Sequence, residues 1–165
     1  MTIRFAEEKD INRIMEIYAF ARNFMAKNGN PNQWGPTNWP PLELIKNDIE
    51  NQKLFLCINE SKIVGVFFYD FGKNIERCYN TIEDGSWSSP ETYGVVHRLA
   101  GDSSIKGIGS FCINWAFEKA GCLRIDTHPD NIPMQRLLPK LGFRKCGIIH
   151  VEEDNYPRFA YEKLN

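Results

Sequence analysis

The stretch from Tyr93 to Thr127 constrains the fold more than any other part of the chain. Tyr93 to Ala100 is strand-like, Gly101 to Lys106 is a polar loop, and Lys106-Gly107-Ile108-Gly109 opens a helix running to about Ala120. Ile108, Phe111, Cys112, Trp115 and the aliphatic stem of Lys119 form its expected buried stripe. Gly121 suits a left-handed helix end, and Cys122 to Thr127 reads as the next strand. Strands and a helix joined by short links call for a helix layered on a sheet.

The remaining segments fit that plan. Thr2 to Ala6 is a short strand. Asp10 is expected to cap a helix whose apolar face is Ile11, Ile14, Met15, Tyr18, Ala21, Phe24 and Met25. Lys27 to Pro41 is a loop, because its glycines and prolines exclude a regular ladder; Pro41 starts a second helix with Leu42, Ile45 and Ile49 on one side. Leu54 to Ile58 and Ile63 to Phe71 are strands joined by a turn, and Lys73 to Pro90 is irregular, with a turn at Glu83, Asp84 and Gly85. Asn131 caps a short helix in which Met134, Leu137, Leu138 and Leu141 share a face. Pro139 predicts a kink or early end there, and Gly142 closes it. Phe143 to Val151 and Phe159 to Leu164 form a closing hairpin. The order β-α-α-β-β-β-α-β-α-β-β makes this an α/β or α+β protein, a mixed sheet with helices on both faces.

Composition narrows the function. A chain of 165 residues is the length of one ordinary domain, here 1–165. Twenty basic and twenty-one acidic side chains leave a net charge of −1, which argues against a nucleic-acid partner. No apolar run approaches the ~20 residues of a membrane span, and the charged N-terminus lacks the apolar segment of an export signal. Five scattered cysteines, with no C-x-x-C pair and no histidine at zinc-ligand spacing, point to reduced, buried thiols in a cytoplasmic protein, and to no metal.

The chemistry gathers at the glycine loop. Backbone N–H groups and the positive end of a helix dipole meet there, which suits a phosphate or pyrophosphate, and glycine lets such a ligand approach the backbone. An ordinary turn before a helix would show the same glycines. The missing Gly-Lys-Ser/Thr argues against a P-loop, and a dinucleotide fingerprint would want a third glycine where Cys112 stands.

Val95-Val96-His97-Arg98-Leu99-Ala100, Lys106-Gly107-Ile108-Gly109, Asp126-Thr127, Asn131 and Leu141-Gly142-Phe143 together resemble the GNAT superfamily of acyl-CoA-dependent N-acetyltransferases. The specific part spans about Tyr93 to Phe143; the element order extends the likeness over nearly the whole chain. The resemblance implies a mostly antiparallel mixed sheet with splayed central strands and acetyl-CoA as co-substrate. By it, Arg98, Leu99 and Ala100 offer backbone contacts to the pantetheine arm, Lys106, Gly107, Ile108, Gly109 and Ser110 cradle the pyrophosphate, and Asn131 approaches the cofactor. It also implies a homodimer as one arrangement, since related folds often pair through sheet edges. Two positions depart from the pattern: Ser104 stands where the loop usually opens with Arg or Gln, and Leu138 where a tyrosine often protonates the leaving thiolate.

Acetyl transfer also needs a neutral amine, because an alkylammonium has no nucleophilic lone pair. A carboxylate serves as base in several members, but the aligned position is Tyr93. His97 shares its strand face by alternation and is the side-chain type that titrates near neutral pH, so it is the first candidate base; a strand histidine satisfied by a neighbour is the other reading. Asp126 or His128 would orient an amine, unless Asp126 forms a structural ion pair with Arg124. Glu83, beside Trp87, would bind a cationic substrate or simply sit in a solvated turn.

The reading is an N-acetyltransferase acting on a primary amine, of a small molecule or a peptide, by direct attack in a ternary complex. A catalytically silent acyl-CoA-binding regulatory domain is the alternative, and a module for another phosphorylated ligand the third. The 21 aromatic residues include Trp34, Trp39 and Trp87 in glycine- and proline-rich segments. These either wall the acceptor pocket or anchor their loops.

Overall fold

The computed structural model describes residues 1–88 and 91–165. Positions 89 and 90, at the end of the segment expected to be irregular, lie outside the described residues. In chain order the elements are β1 (Thr2–Phe5), α1 (Ile11–Lys27), α2 (Leu42–Glu50), β2 (Leu54–Asn59), β3 (Lys62–Lys73), β4 (Thr92–Gly101), α3 (Ile108–Ala120), β5 (Cys122–Thr127), α4 (Ile132–Lys140), β6 (Arg144–His150) and β7 (Pro157–Leu164). The strands form one sheet in the order β1-β2-β3-β4-β5-β7-β6. Its β1/β2, β2/β3, β5/β7 and β6/β7 ladders are antiparallel, whereas β4 pairs with β5 in parallel at Gly94–Leu123 and Val95–Arg124. The sheet is therefore mixed and mostly antiparallel.

The chain forms two compact units, residues 1–69 with 97–113, and residues 70–96 with 114–165. In the first, Ile14, Ile17 and Tyr18 of α1 and Ile45 of α2 pack onto Leu54 and Val66 of the sheet. The buried face of α1 is thus rotated from the expected one: Ile17 joins it, and Phe24 stands exposed, stacked on Phe20. Asp10 does not cap α1 with its side chain. Its carboxylate instead accepts the Glu7 backbone N–H and both Arg4 guanidinium nitrogens at 2.7 and 2.9 Å, so the cap serves the short 3-10 turn ahead of α1. Gly65 of β3 faces Ile108; a Cβ there would lie 2.6 Å from the isoleucine methyl, so the glycine lets the start of α3 sit on the sheet.

In the second unit, β7 lies between β5 and β6, and the β6 ladder shifts register between Lys145 and Gly147. The hairpin strands start and stop within two residues of expectation. Pro139 occupies the last turn of α4, which ends one residue later at Lys140. Leu138 is fully buried. Four of the five free cysteines are buried and Cys78 is half-buried. Among the described residues no helix is long and apolar enough to cross a membrane, and no group of His, Cys, Asp and Glu could hold a metal ion.

Candidate active site

In the first unit the end of β4 passes into a loop fastened from two sides. The Asp102 N–H donates to the Val64 carbonyl at 3.0 Å, and the Asp102 carboxylate accepts from the Ser104 N–H and from Arg13 of α1. The loop then turns through Gly107 at φ +87°, a conformation glycine adopts without strain. The Phe111 N–H donates to the Gly107 carbonyl at 2.9 Å, as the first helical bond of α3. The N–H groups of Ile108, Gly109 and Ser110 precede it and have no partner within the helix. A Cβ at Gly107 would meet nothing within 4 Å, so the turn itself is open on that side, and Lys106 is exposed beside it. N–H donors at the start of a thirteen-residue helix, with its dipole and a nearby cation, are groups that could hold an anion.

Upstream on β4, Arg98 adopts φ +52°, inside a strand. Its carbonyl accepts from the buried Tyr18 hydroxyl at 3.0 Å, its guanidinium meets the Asp48 carboxylate at 2.6 Å, and the same group lies 4.6 Å over the Phe68 ring. Burial pushes the Asp48 carboxyl up, with Arg98 opposing. His97 is half-buried, its ring 5.9 Å from Phe68. Asp48 escaped the sequence reading, although one signal was present: it shares the Ile45–Ile49 face of α2, where a carboxylate needs a partner.

The loop after α1 is anchored. Trp34 meets Tyr18 edge-on at 5.9 Å, and the Trp39 carbonyl accepts from Arg22 at 3.0 Å. For Trp34 the geometry is that of a loop anchor.

The second unit holds the other candidates. The Tyr79 hydroxyl donates to Asp126 at 2.7 Å, and the Tyr79 ring packs on Trp87 at 5.0 Å and Tyr93 at 6.2 Å. Burial and the Asp126 charge push the Tyr79 phenol well above its ordinary range, so it stays a donor. Arg124 lies 3.8 Å over Tyr93 and 4.4 Å over Trp87 and pairs with Glu162, which faces it across the β5/β7 ladder; the sequence had offered Asp126 as that partner. Trp87 also donates to the Tyr79 carbonyl, so it too reads as an anchor. The Tyr93 hydroxyl is buried with no hydrogen-bond partner among the described residues. Glu83 exchanges backbone hydrogen bonds with Ile148, and its exposed carboxylate lies 3.4 Å from His150, as a solvated turn stapled to β6 would. Asn131 caps α4, accepting from the Met134 N–H.

His128, just past β5, is 1% exposed. Its Nδ1 accepts the Asp130 N–H at 3.1 Å, its ring packs on Tyr156, and Nε2 has no partner among the described residues. Burial, together with Arg158, lowers its pKa below the ordinary 6.5, against the pull of Asp130 and Asp154. The unfolded chain therefore binds this proton more readily, and the His128 contribution to stability declines as pH falls below about 6.5. The urea midpoint is expected to drop between pH 7.5 and 5.5, and less so in His128→Gln; equal drops in both chains would remove His128 as the cause.

No family profile and no curated protein matches the chain. Solved structures do. A GNAT-family acetyltransferase from Streptococcus agalactiae is 29% identical over 99% of this chain and 95% of its own, with a TM-score of 0.89. An acetyltransferase described as putative from Staphylococcus aureus is 25% identical over 99% of both chains, at 0.70. A ribosomal-protein-alanine N-acetyltransferase from Brucella melitensis, 18% identical over the full length of both, shares the fold at 0.63. These likenesses support acetyl transfer in general, and acetyltransferases of this family use acetyl-CoA. Fold and sequence likeness agree: the chain has the GNAT fold and is similar over nearly its whole length to an acetyltransferase of that family.

Proposed function

We propose that the chain is an acetyl-CoA-dependent N-acetyltransferase whose acceptor is a primary amine of a small molecule or a peptide. The observation that carries this reading is the open, glycine-turned start of α3 following β4. Acetyl-CoA supplies the activated acetyl group. The N–H groups of Ile108, Gly109 and Ser110, with Lys106, hold a pyrophosphate; the backbone of Arg98, Leu99 and Ala100 receives the pantetheine arm. His97 takes the proton that an alkylammonium must lose before it can attack. Leu138 has no proton to give, and none is required, since a thiol pKa near ~8.5 makes the thiolate an adequate leaving group.

Binding and turnover are tested separately. Coenzyme A is expected to raise the melting temperature, while ATP and NAD leave it unchanged. Acetyl-CoA with a panel of antibiotics, polyamines, amino acids and peptides is expected to release free thiol with at least one amine. Binding without release from any of them would leave an acyl-CoA-binding domain in place of an enzyme.

A further inference from the structure

Arg98 is an unexpected residue for its conformation. An L side chain at φ +52° is strained where glycine would not be, and Arg98 adopts it inside a strand, not in a turn. Residues held this way persist only where the surroundings over-determine them, and they cluster at functional sites. Here three groups from three elements do the holding: Asp48 of α2 on the guanidinium, Phe68 of β3 under it, and Tyr18 of α1 on the carbonyl. Asp48 and Tyr18 are both buried, so neither is a chance surface contact.

We propose that Asp48 and Tyr18 are positioning residues that clamp Arg98 in the left-handed conformation, thereby fixing where the β4 backbone at Arg98, Leu99 and Ala100 points for acetyl-CoA. The proposal rests on the acetyl-CoA reading. It assigns the Arg98 side chain no contact with substrate: the guanidinium faces inward, to Asp48, and acts through its own backbone.

That makes an unusual demand on mutants. Truncating Arg98 while neutralising Asp48 removes both charges, so neither is left buried alone. Arg98→Ala with Asp48→Asn loses the clamp and keeps a Cβ that opposes positive φ. Arg98→Gly with Asp48→Asn loses the same clamp but accepts the conformation freely. Acetyl-CoA affinity, read by titration calorimetry, is expected to fall about tenfold in the alanine pair and only about threefold in the glycine pair, which loses the clamp but not access to the conformation. The glycine pair should also melt higher without ligand, the reverse of the usual order. Tyr18→Phe, a milder change, is expected to weaken binding about three- to tenfold.

Equal loss of affinity in the two pairs, no loss in the alanine pair, or an alanine pair that melts at or above the glycine pair would overturn the proposal. Parent-like affinity in Tyr18→Phe would remove Tyr18 from the clamp. Failure of the parent itself to bind acetyl-CoA would overturn the functional reading first, and shows before any variant is compared.

Discussion

In His97→Ala, turnover is expected to fall by about 10²- to 10⁴-fold, the contribution of a positioned general base, with acetyl-CoA affinity within about threefold of the parent. The expectation follows from position. His97 immediately precedes Arg98 on β4, so it sits one residue before the backbone proposed to receive the pantetheine arm. It is half-buried against Phe68. Because the proton it removes belongs to the acceptor, the loss should appear in kcat and in the acid limb of the rate profile. The KM for acetyl-CoA should hardly move. His97→Gln, which is similar in size and polar but cannot take a proton, should behave like alanine. Undiminished thiol release in both variants would exclude His97 and move the search for a base to Asp126, whose carboxylate Tyr79 already orients.

How much of this was legible in the sequence depends on what a pattern can encode. The order β4-loop-α3-β5 was legible because its signals are local: an apolar run, a polar break and glycines at a forced turn. The buried stripe of α3 was legible only in Ile108 and Cys112, since Ile113 and Ala116 are fully buried where Phe111 and Trp115 were expected, and Lys119 is exposed. Phe24 misled because three- and four-residue spacing marks a face without saying how far round the helix burial extends; Ile17 is buried in its place. Asp10 misled because a cap and an ion-pair partner look alike until Arg4 of β1 is seen beside it. Asp48 and Tyr79 went unread for another reason. Their roles arise from partners 50 and 47 residues away, Arg98 and Asp126, and no spacing rule connects such pairs. Trp34 and Trp87 were placed correctly in irregular segments, but only their contacts with Tyr18, Tyr79 and Arg124 distinguish an anchor from a substrate wall.

The largest expected loss of stability comes from a residue outside the chemistry. Gly85 lies against β6, where a Cβ would stand 1.8 Å from the Cys146 carbonyl oxygen and 2.9 Å from its carbon. Both obstacles are backbone, and no side chain can rotate away to make room. The neighbouring hydrogen bonds between Glu83 and Ile148, at 2.8 and 2.9 Å, hold the two segments at that distance, so relief requires breaking them or bending β6. A bent β6 disturbs β7, its ladder partner, and β7 carries the Glu162 that neutralises buried Arg124. Gly85→Ala is therefore expected to cost about 3 kcal/mol or more, at the upper end for one added methyl group, and to lower the melting temperature by roughly 6–12 °C. Ser86→Ala, one residue on and exposed, should change it little. Thermal unfolding of the two variants beside the parent checks the claim. A Gly85→Ala chain melting within about 2 °C of the parent would mean that the 83–85 segment is not held against β6.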